Sequence, residues 1–159
     1  MDRGFGLLEV VISVAIIILV VTGLIMVNLT SLKIISLSGQ KIQAYQLANQ
    51  AHEVLRYLKD NANSWDNFVN SLPSSCDPSC QLKYEGNKWH ITGPSEPETI
   101  EIEGTKFERE IKIDATSPPG TDTSNYRKVT VTISWEVTAR LGTQEKQIET
   151  MSYLTKVGD

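Results

Sequence analysis

Glu9 is the side chain in this sequence that most needs a chemical reason. It stands in "LLEVVISVAIIILVVTGLIMVNLTSL", and from Val10 to Leu32 no residue carries a formal charge. A carboxylate at the middle of a membrane span costs about 2.5–3.5 kcal/mol on insertion scales, and less near the interface. Such a group either snorkels to the lipid headgroups or meets a cation, and an amine on the same or a neighbouring helix would serve. The other candidates are weaker. Cys76 and Cys80 in "SSCDPSC" are the only cysteines. A turn through three residues can bring the two sulfurs together, and outside the cytoplasm they are expected to be bridged. So small a ring gains little chain entropy and would chiefly fix a local turn. The spacing is not that of a redox Cys-x-x-Cys site, and no strand-to-helix context follows.

Four oxygen-bearing side chains, Asp60, Asn61, Asn63 and Asp66, cluster in "DNANSWDN". They lack the glycine and terminal glutamate of an EF-hand loop and read as a solvated turn. His52 and His90 have no acid cluster around them in the sequence and read as surface or rim residues. No nucleophile–base pair, phosphate-cradling glycine loop or metal cluster is legible, so neither an enzyme nor a cofactor or metal is expected. The net charge of −4 over 159 residues argues against a wide basic face for nucleic acid. Local clusters at Arg127 and Lys128, or at Lys106, Arg109 and Lys112, are the places where a DNA contact could arise.

The elements that must position these groups follow from periodicity. The 23 uncharged residues from Val10 to Leu32 would span about 35 Å as a helix, slightly more than the ~30 Å hydrocarbon core. A secretory signal would need a basic leader, a shorter apolar run and a cleavage site after it. Flanking charge says little about orientation, since Asp2 offsets Arg3, while Lys33 and Lys41 follow the run. Beyond it, Ile42, Ala44, Leu47, Ala48, Ala51, Val54, Leu55 and Leu58 recur at three- and four-residue steps, with Lys41, Gln50, Glu53 and Lys59 on the wet side. The first proline is Pro73, so one helix is expected from Phe5 to about Asn61, some 85 Å long, with Gly23 and Gly39 its weak points.

After the helix, the stretch from Asp60 to Trp89 reads as an irregular connection. The period then becomes two. "KFEREIKID" alternates Phe107, Arg109, Ile111 and Ile113 against charged residues. "RKVTVTISWEVTA" places Val129, Val131, Ile133, Trp135 and Val137 on one face, and "QEKQIETMSYLT" returns after a turn at Gly142. Weaker strands are expected at Lys88–Thr92 and Thr99–Glu103, and "ATSPPGTDTSN" as an exposed loop. The apolar face of this antiparallel sheet would cover the stripe from Ile42 to Leu58, giving an α+β head of two layers.

"RGFGLLEVVIS" resembles the amino-terminal signature of type IV prepilins and pseudopilins: a basic residue and glycine, Phe or Met as the first mature residue, and glutamate five places into the mature chain, leading into an apolar helix. The resemblance implies cleavage between Gly4 and Phe5 by a prepilin peptidase and N-methylation of Phe5. It also implies assembly through Glu9, with the Phe5 amine of the same or a neighbouring subunit as its partner. Residues 1–4 would be the leader, 5–32 the transmembrane and filament-core helix, 33–62 the amphipathic helix, and 63–159 the loop and sheet of the head. The implied partners are other pilin subunits, the peptidase, an inner-membrane assembly platform and, before assembly, membrane lipid. The implied location is the inner membrane with the head outside the cytoplasm, then the pilus or cell surface. Many major pilins carry a proline in the apolar half; its absence here leans toward a minor pilin, with a type II secretion pseudopilin or a DNA- or surface-binding tip module as alternatives.

Overall fold

The computed structural model describes residues 6–77, 79–115, 125–139 and 142–156. The chain forms two units, Met1–Lys41 and Ile42–Asp159. Helix α1 covers Leu7–Asp60 and ends one residue short of the expected Asn61. The expected start at Phe5 lies outside the described residues. The first unit contains the apolar half of α1. Every large apolar side chain from Leu8 to Ile35 is 49–74% exposed there, on all sides of the helix.

The second unit is an α+β body: the rest of α1, a short helix α2 (Trp65–Ser71) and six strands. The strands are β1 (Ser79–Glu85), β2 (Lys88–Ser95), β3 (Glu98–Ile102), β4 (Thr105–Asp114), β5 (Tyr126–Ala139) and β6 (Gly142–Thr155). They form an antiparallel sheet in the order β2-β1-β4-β5-β6, with β3 also paired to β4. β1 reaches β4 at Cys80 opposite Ile111, and β3 pairs farther along through Glu98 opposite Arg109 to Ile102 opposite Thr105, so the two share one edge of β4.

Ala44, Leu47, Ala48, Ala51, Val54 and Leu55 of α1 are buried in one cluster with Phe107, Ile111, Val129, Val131, Ile133 and Trp135 of the sheet. Three alanines on the helix stripe leave room for bulk on the sheet side, where Phe107 and Trp135 sit opposite each other with ring centroids 5.9 Å apart. Ile42, expected in the stripe, is 58% exposed. It lies two residues from Ala44, about half a helical turn around, and therefore on the far side.

Two elements occupy the stretch expected to be irregular. In α2, Ser64 accepts a hydrogen bond from the Asn67 amide at 3.2 Å as N-cap, and Phe68 is buried. β1 and β2 form a hairpin closed at Gly86 and Asn87, both in the left-handed region with φ of 59° and 63°. Left-handed backbone at both central residues suits the twist of a tight hairpin, and asparagine tolerates it better than most side chains. β2 runs three residues beyond the expected Thr92, and β3 lies one residue earlier than expected. Most of "ATSPPGTDTSN", and Arg140 and Leu141 before the Gly142 turn, lie outside the described residues.

Candidate functional site

Glu9 lies in the first turn of α1 and is exposed. Its amide donates to the Gly6 carbonyl at 2.8 Å, and its own carbonyl accepts from the Ser13 hydroxyl at 2.7 Å. A negative side chain suits this end of a helix, where unpaired amides leave a partial positive charge, by about 0.3–1 kcal/mol. Gly4 and Phe5, the expected cleavage and methylation residues, lie outside the described residues.

The helix beyond Glu9 keeps its polar side chains close to its own backbone. Thr22, Asn28, Thr30 and Ser31, like Ser13, each donate to the carbonyl four residues earlier, at 2.7–2.9 Å. Each of these polar side chains thus places a donor on its own helix, an arrangement a lipid-facing segment favours. α1 is long and apolar enough to cross a membrane, which is compatible with a single-pass membrane protein.

In the second unit, Cys76 and Cys80 are joined by a disulfide, with Cα atoms 4.8 Å apart. The bridge fixes the start of β1, where Cys80 and Ser79 are fully buried. The Ser79 hydroxyl accepts from the Ile111 amide and donates to the Cys80 carbonyl, both at 3.0 Å, closing the β1–β4 junction. Gly93 on β2 leaves room for the bridge: a Cβ there would lie 2.6 Å from the Cys80 sulfur.

His52 does more than the rim role expected of it. Half-buried on α1, it reaches two hydroxyls on the inward row of β6. Its Nε2 lies 2.9 Å from the Thr150 hydroxyl and its Nδ1 accepts from Ser152 at 2.8 Å. Thr150 in turn donates to the Val131 carbonyl at 3.4 Å, so the pattern is met by a neutral ring protonated at Nε2. Burial pushes the His52 pKa down and neighbouring Arg56 adds to the effect, against smaller opposing contributions from Glu53 and the backbone of Thr150. His90 is exposed on β2.

Neither basic cluster forms a patch. Arg109 points into the body, 4% exposed, where it pairs with Glu98 and donates to Gln50 at 3.5 Å. Lys106 and Lys112 are on the opposite face of β4, and Lys112 is paired with Glu110 at 2.6 Å. Arg127 and Lys128 are successive residues of β5 and so face opposite ways. The oxygen-rich turn is also divided: Asp60 pairs with Lys59, the Asn61 amide side chain donates to the Tyr57 carbonyl, and Asp66 is in the first turn of α2.

One further feature, invisible in the sequence, is a groove of about 480 Å³ between α1 and the β1–β2 hairpin. It is lined by Gln50, Glu53 and Tyr57 on one side and Tyr84, Asn87 and Trp89 on the other. Searches against protein families, curated proteins and solved structures find no match to this chain.

Proposed function

We propose that this protein is a structural subunit of a type IV pilus or pilus-like filament, of the minor pilin or pseudopilin kind. In this reading the chain is cut after Gly4, methylated on the Phe5 amine and assembled through the apolar half of α1. The observation that carries it is Glu9 heading a helix that is apolar on every side and whose polar residues bond back to its own carbonyls. A helix of that kind suits lipid before assembly and a bundle of like helices afterwards. The amine created at Phe5 lies four residues before Glu9, on the same helical face. Pairing in a low dielectric is strong, and a subunit out of axial register leaves both charges unpaired. Glu9 therefore acts as a register device. Continuity of α1 through Gly23 and Gly39, with no proline, favours a minor subunit or pseudopilin over a major pilin.

The test is made in cells that produce a prepilin peptidase. Mass spectrometry of the mature chain is expected to find N-methyl-Phe5 at its start, and retention of Met1 would overturn the reading. Glu9→Val is expected to be inserted and cleaved normally yet to be missing from sheared filaments. Its incorporation at the normal level would remove the register role.

A further inference from the structure

The groove between α1 and the β1–β2 hairpin is assembled from two regular elements. Gln50, Glu53 and Tyr57 occupy steps of three and four along one stripe of the helix. Tyr84 and Trp89 are directly opposed partners at the end of the hairpin, with ring centroids 5.2 Å apart and planes inclined at 57°. The tight turn at Gly86 and Asn87 holds the aromatic pair in place, and the Tyr84 hydroxyl donates to the Asn87 side-chain carbonyl at 3.3 Å. Tyr57 and Tyr84 are 52% and 57% exposed. Trp89 is half-buried against the core, whereas the rings of Tyr57 and Tyr84 are left open to water on facing elements, and packing of the core does not explain those two.

The polar groups around the rings are partly committed, and what they have left defines a ligand. Gln50 uses its carbonyl to accept from Arg109, leaving its amide N–H groups. Asn87 likewise uses its carbonyl on Tyr84 and keeps its amide N–H groups. Glu53 accepts from Arg56 through one oxygen at 3.0 Å, which leaves the other as an acceptor. Two amide donors, one carboxylate acceptor and a phenol that does both match a ligand rich in hydroxyls, each of which donates and accepts. Three aromatic rings match a ligand that also has a flat C–H face. The groove is shallow and open to solvent, which suits one sugar ring laid against its wall and not a ligand enclosed on all sides.

We infer that this groove binds a neutral saccharide, stacking a pyranose ring on the exposed rings of Tyr57 and Tyr84, with Trp89 backing Tyr84, and fixing its hydroxyls with Gln50, Asn87 and Glu53. Geometry and charge separate this ligand from the two others that aromatic rings favour. A quaternary ammonium is held by ring faces that surround it on several sides, whereas Tyr84 and Trp89 are packed against each other and enclose no cage. A nucleic acid would need cations for its phosphates, and the groove lining holds none among the described residues. The inference does not rest on the filament reading, because every residue involved belongs to the second unit.

The test uses the full chain in a polyoxyethylene detergent, which introduces no sugar headgroup. The protein is applied to an array of immobilised neutral and charged oligosaccharides, and the best neutral binder is titrated in solution against tryptophan fluorescence. Retention by one or more neutral glycans is expected, with Kd raised about tenfold or more by Tyr57→Ala and by Tyr84→Ala, a loss of the size one stacking contact carries. Tyr57 is more than half exposed, so thermal unfolding of Tyr57→Ala should match that of the parent chain, whereas Tyr84→Ala also loses its cross-strand contact with Trp89 and should unfold slightly earlier. Tyr57→Phe keeps the ring and should recover most of the affinity. The inference fails if no neutral glycan is retained above the Tyr57→Ala/Tyr84→Ala double variant, or if tetramethylammonium displaces the glycan at equal concentration. It also fails if single-stranded oligonucleotides bind more tightly than any saccharide.

Discussion

At the scale of single residues, His52 and Gly93 show how much of the head depends on small groups in defined places. Neutral His52 receives a hydrogen bond from Ser152 at Nδ1 and reaches Thr150 through Nε2, so protonation of Nδ1 removes the acceptor that Ser152 uses. Because the folded pKa is below the ordinary 6.5, the unfolded chain binds the proton more readily. The stability His52 contributes is therefore complete above pH 6.5 and is lost as pH falls toward and through the folded value. Urea unfolding of the parent chain should show a decline below pH 6.5 that is reduced in His52→Gln, which cannot titrate. Gly93 is a matter of space. A Cβ at 2.6 Å from a sulfur held in a disulfide has no flexible neighbour to move, so Gly93→Ala should destabilise by about 1–3 kcal/mol as an overpacked site does. Reduction of the Cys76–Cys80 bridge frees that sulfur, and the difference between variant and parent should shrink in reducing buffer.

At the scale of elements, legibility followed the length of the repeat. β5 alternates over more than ten residues, and its inward row of Val129, Val131, Ile133 and Trp135 is buried as that period requires. β1 could not be read the same way, because its alternation is short and is preceded by the Asn-, Ser- and Pro-rich run. α2 has seven residues among asparagines and serines, and its signal was the N-cap Ser64 before Trp65, Phe68 and Val69 at helical spacing. Arg109 is on the core face of β4, where the alternation put it, but its partner Glu98 depends on the β3 register, which local sequence does not reveal. The aromatic groove was illegible because β1, which pairs with the expected strand at Lys88–Thr92 and carries Tyr84, fell in the stretch read as irregular. The helix-to-sheet contact was legible in its stripe and yields a paired prediction. Ala48→Leu adds bulk at a position with no exposure and should cost about 1–3 kcal/mol. Ile42→Ala, at 58% exposure, should change stability by no more than about 0.5 kcal/mol. Equal losses in thermal unfolding for the two would contradict the placement of the stripe.

At the scale of the whole molecule, the two units treat their apolar side chains in opposite ways. The head hides its apolar side chains in one cluster, whereas the apolar half of α1 exposes Val, Ile and Leu on every side. A charge in the middle of that half should therefore act on membrane partition and leave the fold of the head alone. Val20 is near the centre of the uncharged run and 56% exposed. Val20→Arg places a guanidinium where the insertion penalty is about 2.5–3.5 kcal/mol. That penalty is set against a long run of favourable residues, so insertion should be weakened without being abolished. Alkaline extraction of membranes should release a larger share of the variant than of the parent. In detergent, where no bilayer is crossed, unfolding of the head should superimpose on that of the parent, with the combined fluorescence of Trp65, Trp89 and Trp135, all in the head, as the reporter. Glu9→Val supplies the opposite control, because removing a charge at the helix entrance should make the chain harder to extract, if it changes extraction at all. A parent-like extraction profile for Val20→Arg would mean that this half of α1 does not cross the bilayer, and a shifted head transition would mean that the apolar helix contributes to the stability of the sheet.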